Sequence, residues 1–220
     1  MLQLGLQLRL QHALNQLPLV AILRGIRPSE VQACADVLYE EGFRLIEVPL
    51  NSPDVWQSLD VLARSLPDDA LFGAGTVLTM TDLQRVRDTG ARLVVMPHTD
   101  AAMIANAVQA GQEMICMPGV SSVTEALTAL NAGARLLKTY PAELITPTVL
   151  KAMRTVLPAR AQLFPVGGID AQNMSAYRKA GADGFGLGGS LYRAGMSVDE
   201  LRQTARTLTQ AWHNQACSML

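Results

Sequence analysis

No C-x-x-C pair is present: the three cysteines, Cys34, Cys116 and Cys217, are an odd, scattered set. A disulfide framework is therefore not expected, and a reducing cytoplasm is the expected compartment. Three histidines, His12, His98 and His213, fall in no H-E-x-x-H or comparable spacing, so no bound metal is expected. No strand runs into a helix-opening G-x-G-x-x-G, which argues against a dinucleotide cofactor. Apolar runs all stop short of the ~18 residues of a membrane-spanning helix. The opening MLQLGLQLRLQHAL has neither a basic n-region nor a small-residue cleavage site and does not read as a signal peptide. There is also no excess of one charge. A net charge of −1 and a pI near 6.3 give no basic field, which excludes a nucleic-acid or membrane-surface partner as an expectation.

Lysine is scarce. Only Lys138, Lys151 and Lys179 stand among 18 basic residues, the rest being arginine. Lys151 and Lys179 fall in polar-faced helical stretches, where a solvated ammonium costs little. Lys138 instead sits inside the apolar run ARLLKTYP at residues 134–141. An ammonium in such surroundings is relieved by losing its proton, and a neutral primary amine is a nucleophile. Lys138 is the first candidate for chemistry.

What is present in quantity is a repeated unit. With 49 % apolar and 17 % charged residues over 220 positions, the composition is that of one compact domain, residues 1–220. Glycine followed by a strand-like run recurs at Gly42, Gly90, Gly111, Gly133 and Gly181. Runs at 19–25, 71–77 and 162–168 complete a set of eight, spaced by roughly 20 to 25 residues. Each is nearly continuous in apolar residues, as in parallel strands buried on both faces. Amphipathic stretches follow at 29–41, 53–65, 81–89, 100–110, 122–131, 147–156, 172–179 and 198–213. Ser29, Thr79, Ser121 and Asp170 are N-cap candidates. The leucines of residues 1–17 predict a further helix, amphipathic over Leu10, Leu14 and Leu17, packing on the domain. Eight alternating units close most simply into a single (β/α)8 TIM barrel with an additional N-terminal helix. A doubly wound open sheet is the alternative.

In such a barrel the chemistry belongs at the carboxyl ends of the strands. Those ends read Arg24, Glu47, Thr76, Pro97, Met117-Pro118, Lys138, Gly167-Gly168 and Gly188-Gly189-Ser190. Alternation places Glu47 with Leu45 on one strand face and Lys138 with Leu136 on another. If both faces point inward, carboxylate and amine converge near the top of the barrel; a structural salt bridge is the bland reading of that pair. Arg24 offers a planar donor fork for a carboxylate or phosphate, and Thr76 a hydroxyl for the same anion. The glycine loops after the last two strands supply backbone N–H groups suited to phosphate.

Taken in order, ILRG, IEVPLNSP, GAGTVL, LKTYPAE, VGGI and GLGGSLYRAG resemble the short class I 2-dehydro-3-deoxy-6-phosphoaldonate aldolases from about Leu17 to the final helix. The resemblance implies a (β/α)8 barrel, a homotrimer, no metal or organic cofactor, and a phosphorylated sugar acid as the small-molecule partner. It implies that Lys138 forms an iminium with the C2 ketone while Glu47 shuttles protons, releasing glyceraldehyde 3-phosphate and pyruvate. Arg24 and Thr76 would hold the carboxylate end, Pro97 would shape the pocket, and Gly167, Gly168, Gly188, Gly189 and Ser190 would hold the phosphate. Asn51 and Val166 resemble the members that take the galacto-configured acid rather than its C4 epimer. PAEL at 141–144, Thr139-Tyr140 and PGVSS at 118–122 depart from that pattern, so a gluco-type or dual-epimer enzyme stays open. More distant alternatives are a phosphosugar isomerase barrel, which needs no iminium, and a non-enzymatic anion-binding barrel.

Overall fold

The computed structural model describes residues 2–109 and 114–216; Gly111 and Cys217 lie outside them. The chain begins with α1 (Leu2–Gln16) and alternates thereafter: β1 (Leu19–Ile22), α2 (Pro28–Glu40), β2 (Leu45–Pro49), α3 (Val55–Ser65), β3 (Leu71–Gly75) and α4 (Met80–Asp88). Then come β4 (Leu93–Val95), α5 (Ala101–Val108), β5 (Ile115–Met117), β6 (Gly119–Val120), α6 (Val123–Asn131), β7 (Leu136–Thr139) and α7 (Pro147–Arg154). The chain continues through β8 (Gln162–Pro165), α8 (Met174–Lys179), β9 (Phe185–Leu187) and α9 (Val198–Ala216).

All strand pairs are parallel, in a curled sheet ordered β5-β4-β3-β2-β1-β9 and a second ordered β6-β7-β8. Consecutive strands are neighbours and the last strand lies beside the first. The order has no reversal point, which a doubly wound sheet requires. The fifth expected strand is split into β5 and β6, because Pro118 between them has no N–H to give the ladder. Its carbonyl still accepts from Lys138 N at 2.9 Å. At the other edge Asp183 N donates to Leu163 O at 2.9 Å, and a parallel bridge pairs Val166 with Gly186. The two sheets therefore touch along both edges.

Side chains sort into two cores by strand parity. Val20, Ile22, Leu45, Leu71, Leu93, Leu136 and Phe164 pack inward with Leu6, Leu10, Ala13 and Leu14 of α1. Ala21, Ile46, Ala74, Val94, Leu137 and Leu163 face outward to the helices. α1 thus plugs the end of the curl from which the strands start, and each of its buried leucines contributes up to about 1.5–3 kcal/mol. It is one helix of 15 residues, longer than the amphipathic part expected from Leu10 to Leu17.

Some expected caps move. Thr79 does cap α4, accepting from Asp82 N. Ser29 lies inside α2, whose first turn holds Pro28 and whose N-cap is Arg27. Ser122, not Ser121, caps α6, and Asn173, not Asp170, precedes α8. Asp170 still takes the amides of Gln172 and Asn173, at 2.8 and 2.9 Å, in a turn just before the helix.

Candidate active site

Charge is handled differently at the two ends of the sheet. At the starting end, Arg44 just before β2 stacks on Tyr39 at 3.7 Å and pairs with Asp69 at 2.9 Å. Its Nη1 also donates to two carbonyls, so this buried arginine is held by several partners. Sequence reading passed over it, and its position marks it as structural.

Glu47 and Lys138, at the carboxyl ends of β2 and β7, are 2 % and 6 % exposed. Leu45 and Leu136 are in the inner core, so alternation turns Glu47 and Lys138 inward as well. Yet among the ion pairs of the described residues none joins them. Glu47 Oε2 is buried with no hydrogen-bond partner. The bland salt-bridge reading is not the geometry found.

Burial pushes the Glu47 carboxyl up to about 7, against the opposing charges of Lys138 and Arg24. Burial likewise lowers the Lys138 ammonium; the Glu47 charge opposes this and the Arg24 charge adds to it. The Lys138 Nζ lies 4.6 Å from the centroid of the Tyr140 ring.

Gly75, at the end of β3, makes room for the carboxylate. A Cβ there would collide with the Glu47 Oε2 atom. Sequence reading saw only a glycine before Thr76; the reason is spatial. Thr76 itself adopts φ 56°, a left-handed conformation that threonine rarely takes, at the point where the strand ends.

Arg24 is exposed at the end of β1, and its Nη1 donates to Asn51 Oδ1 at 2.7 Å. Next to it Gly25 N donates to Ser52 Oγ at 2.9 Å. The turn after β2 therefore clamps the turn after β1. Pro97 follows β4 with its carbonyl against Gly119.

A cleft of about 490 Å³ opens on this face, lined by Arg24, Tyr140, Glu143, Val166, Gly167, Gly168, Asp170, Gly188, Gly189 and Ser190 among others. Seven of the residues expected from sequence meet here: Arg24, Val166, Gly167, Gly168, Gly188, Gly189 and Ser190. Glu47 and Lys138 are not in its lining, but Tyr140, which covers Lys138, is. Thr76 and Pro97 end neighbouring strands without reaching this cleft. Thr139 shares the outward face of Leu137, and its buried Oγ1 has no partner, so it packs beneath the site rather than in it. Tyr140 and Glu143 entered the sequence reading only as departures from a family pattern.

Known proteins resemble this chain in sequence and fold. The probable 2-dehydro-3-deoxy-6-phosphogalactonate aldolase of Rhizobium meliloti (strain 1021) is 45% identical over 188 residues, 86% of this chain and 88% of its own. The 2-dehydro-3-deoxy-6-phosphogalactonate aldolase of Escherichia coli (strain K12) is 41% identical over 198 residues, 90% of this chain and 96% of its own. A solved structure described as native KDPGal superposes with a TM-score of 0.89 at 40% identity, covering 92% of this chain and 97% of that one. The chain is accordingly a lyase of the aldolase class. It belongs to the KDPG and KHG aldolase family, whose model matches residues 10–204.

Proposed function

We propose that this chain is a class I aldolase that cleaves 2-dehydro-3-deoxy-6-phosphogalactonate to pyruvate and D-glyceraldehyde 3-phosphate. The observation that carries the reading is the buried pair at the strand ends. Burial lowers the Lys138 amine and raises Glu47 to about 7, so both sit nearer to neutral pH than free side chains do. The galacto configuration at C4 is supported by the two relatives above and by Asn51 and Val166.

Neutral Lys138 attacks the C2 ketone to give a carbinolamine, and loss of water leaves an iminium. Glu47, ionised, takes the proton of the C4 hydroxyl. The C3–C4 bond breaks, its electron pair moves into the iminium, and the aldehyde leaves. The resulting enamine takes a proton at C3, and water then releases pyruvate and restores the amine. Arginine could not replace Lys138, because a guanidinium stays charged. Arg24 and Thr76 orient the carboxylate, Pro97 and Val166 shape the pocket, and Gly167, Gly168, Gly188, Gly189 and Ser190 receive the phosphate. No metal or organic cofactor takes part in this scheme.

The same reading includes a closed (β/α)8 barrel formed by one domain over residues 1–220, acting in the cytoplasm. No described helix is long and apolar enough to cross a membrane. A homotrimer is part of it too, and exposed Leu127, Leu144, Val149 and Val156 supply apolar surface for such contacts.

Borohydride reduction in the presence of pyruvate, followed by peptide mapping, tests the mechanism. The expected result is a pyruvyl adduct on the Lys138 peptide and loss of cleavage in Lys138→Ala. An unlabelled Lys138 peptide, or normal turnover in the variant, refutes the iminium and leaves the isomerase reading.

A further inference from the structure

Glu143 lines the cleft and has no part in the mechanism above. Its backbone is fixed: Ala142 N donates to Val166 O at 2.9 Å, and Leu144 N and Ile145 N both donate to Pro141 O, at 3.0 and 3.1 Å. Its side chain is exposed and lies over the Gly167-Gly168 pair. A Cβ on Gly168 would stand 3.3 Å from Glu143 Oε1, and one on Gly167 would collide with Oε2.

Backbone amides face this part of the chain without backbone partners. Gly188 O accepts from Leu191 N and Tyr192 N, at 2.8 and 2.9 Å, so the chain turns tightly there. The amides of Gly168, Gly189 and Ser190 take no part in the backbone hydrogen bonds outside the helices and strands. Charge, however, does not favour an oxyanion. Arg24 is the one cation in the lining, against the carboxylates of Asp170 and Glu143. Asp170 has an oxygen occupied by two backbone amides, whereas Glu143 forms no hydrogen bond or ion pair among the described residues.

We propose that Glu143 is a specificity-determining residue that reads the charge at the distal end of the substrate. Its carboxylate opposes a phosphate dianion entering the glycine cradle, and the dianion is seated only when the side chain swings out to solvent. The cradle therefore holds phosphate less tightly than its free amides would allow. It excludes an uncharged distal hydroxymethyl group less strongly, and it releases the phosphorylated aldehyde more readily. The proposal rests on the aldolase reading for the identity of the substrate, but not for the anion site.

Glu143→Gln, supported by Glu143→Ala, tests this in two assays. In the first, kcat/KM is measured at pH 8 for 2-dehydro-3-deoxygalactonate with and without its 6-phosphate. The phosphorylated-to-unphosphorylated ratio should rise about tenfold, and less at pH 5.5, where phosphate is largely a monoanion. In the second, calorimetry with inorganic phosphate should give tighter binding to both variants than to the parent. Equal or weaker phosphate binding in both variants, or an unchanged ratio, overturns the proposal. A parent enzyme that cleaves neither acid while the variants bind phosphate more tightly overturns the aldolase reading and retains this one.

Discussion

Glu47→Gln separates the cost of the buried carboxylate from its usefulness. The residue is held at about 7, whereas its free value is 4.5. The unfolded chain therefore ionises Glu47 at lower pH than the folded one. Between these values the folded state binds more protons, so raising the pH lowers stability. The penalty is nearly absent below about pH 4.5 and complete above about pH 7, where it reaches about 3 kcal/mol. Glutamine keeps the shape and removes the charge. Relative to the parent, the variant should gain about 2 to 3 kcal/mol between pH 5 and pH 8. Urea denaturation of both proteins at the two pH values reads the effect as a change in midpoint at constant slope. A stability difference that does not vary with pH refutes the claim that Glu47 is held protonated by burial. Turnover should fall by about 10²- to 10⁴-fold in the same variant, because glutamine cannot accept the C4 hydroxyl proton.

Two further substitutions probe the surroundings. Arg24→Met should raise KM about 10- to 100-fold through loss of a charge-assisted contact to the carboxylate end. It should also move the acidic limb of the kcat/KM profile to higher pH, since the Arg24 charge lowers both Glu47 and Lys138; an unshifted limb places Arg24 too far away to matter. Thr139→Val replaces a buried, unpartnered hydroxyl with a methyl and should stabilise the protein by about 1 kcal/mol. Its kcat/KM should stay within about twofold of the parent, because the side chain faces away from Lys138; a larger kinetic change puts Thr139 in the site.

The sequence carried the parity of each strand well, because an apolar run interrupted by one charge shows which face that charge shares. Leu45 with Glu47 and Leu136 with Lys138 were therefore legible in the sequence alone. The role of Thr139 was not legible; its buried position on the outward face beside Leu137 emerges from the fold. Separation between strands was not legible. Whether Glu47 and Lys138 touch depends on register, curl and the size of neighbouring side chains, and Gly75 reveals its role only once Glu47 is seen against it. Helix starts slipped by one to three residues where several capping side chains compete, as Ser121 and Ser122 do. Pro118 was visible, but its interruption of the fifth strand follows from where ladder bonds fall. Glu143 was visible only as a family departure, since nothing local indicates that residue 143 folds back over residues 167 and 168.

The absence of a direct Glu47–Lys138 bond bears on the chemistry itself. Contact between the two would stabilise both charges, returning Glu47 towards the ordinary carboxylate range and Lys138 towards the ordinary ammonium range. Such a pair would hold its proton on lysine and spoil both reagents of the proposed mechanism, the neutral nucleophile and the base that takes up and returns protons near neutral pH. Burial without contact does the opposite, driving the two values towards each other. Gly75 is part of that arrangement, since a larger residue would take the space the carboxylate occupies. A buried oxygen with no partner costs stability, and Glu47 Oε2 has none. In the mechanism we propose, the substrate's C4 hydroxyl supplies the missing donor, and the unsatisfied oxygen is the acceptor that the retro-aldol step uses.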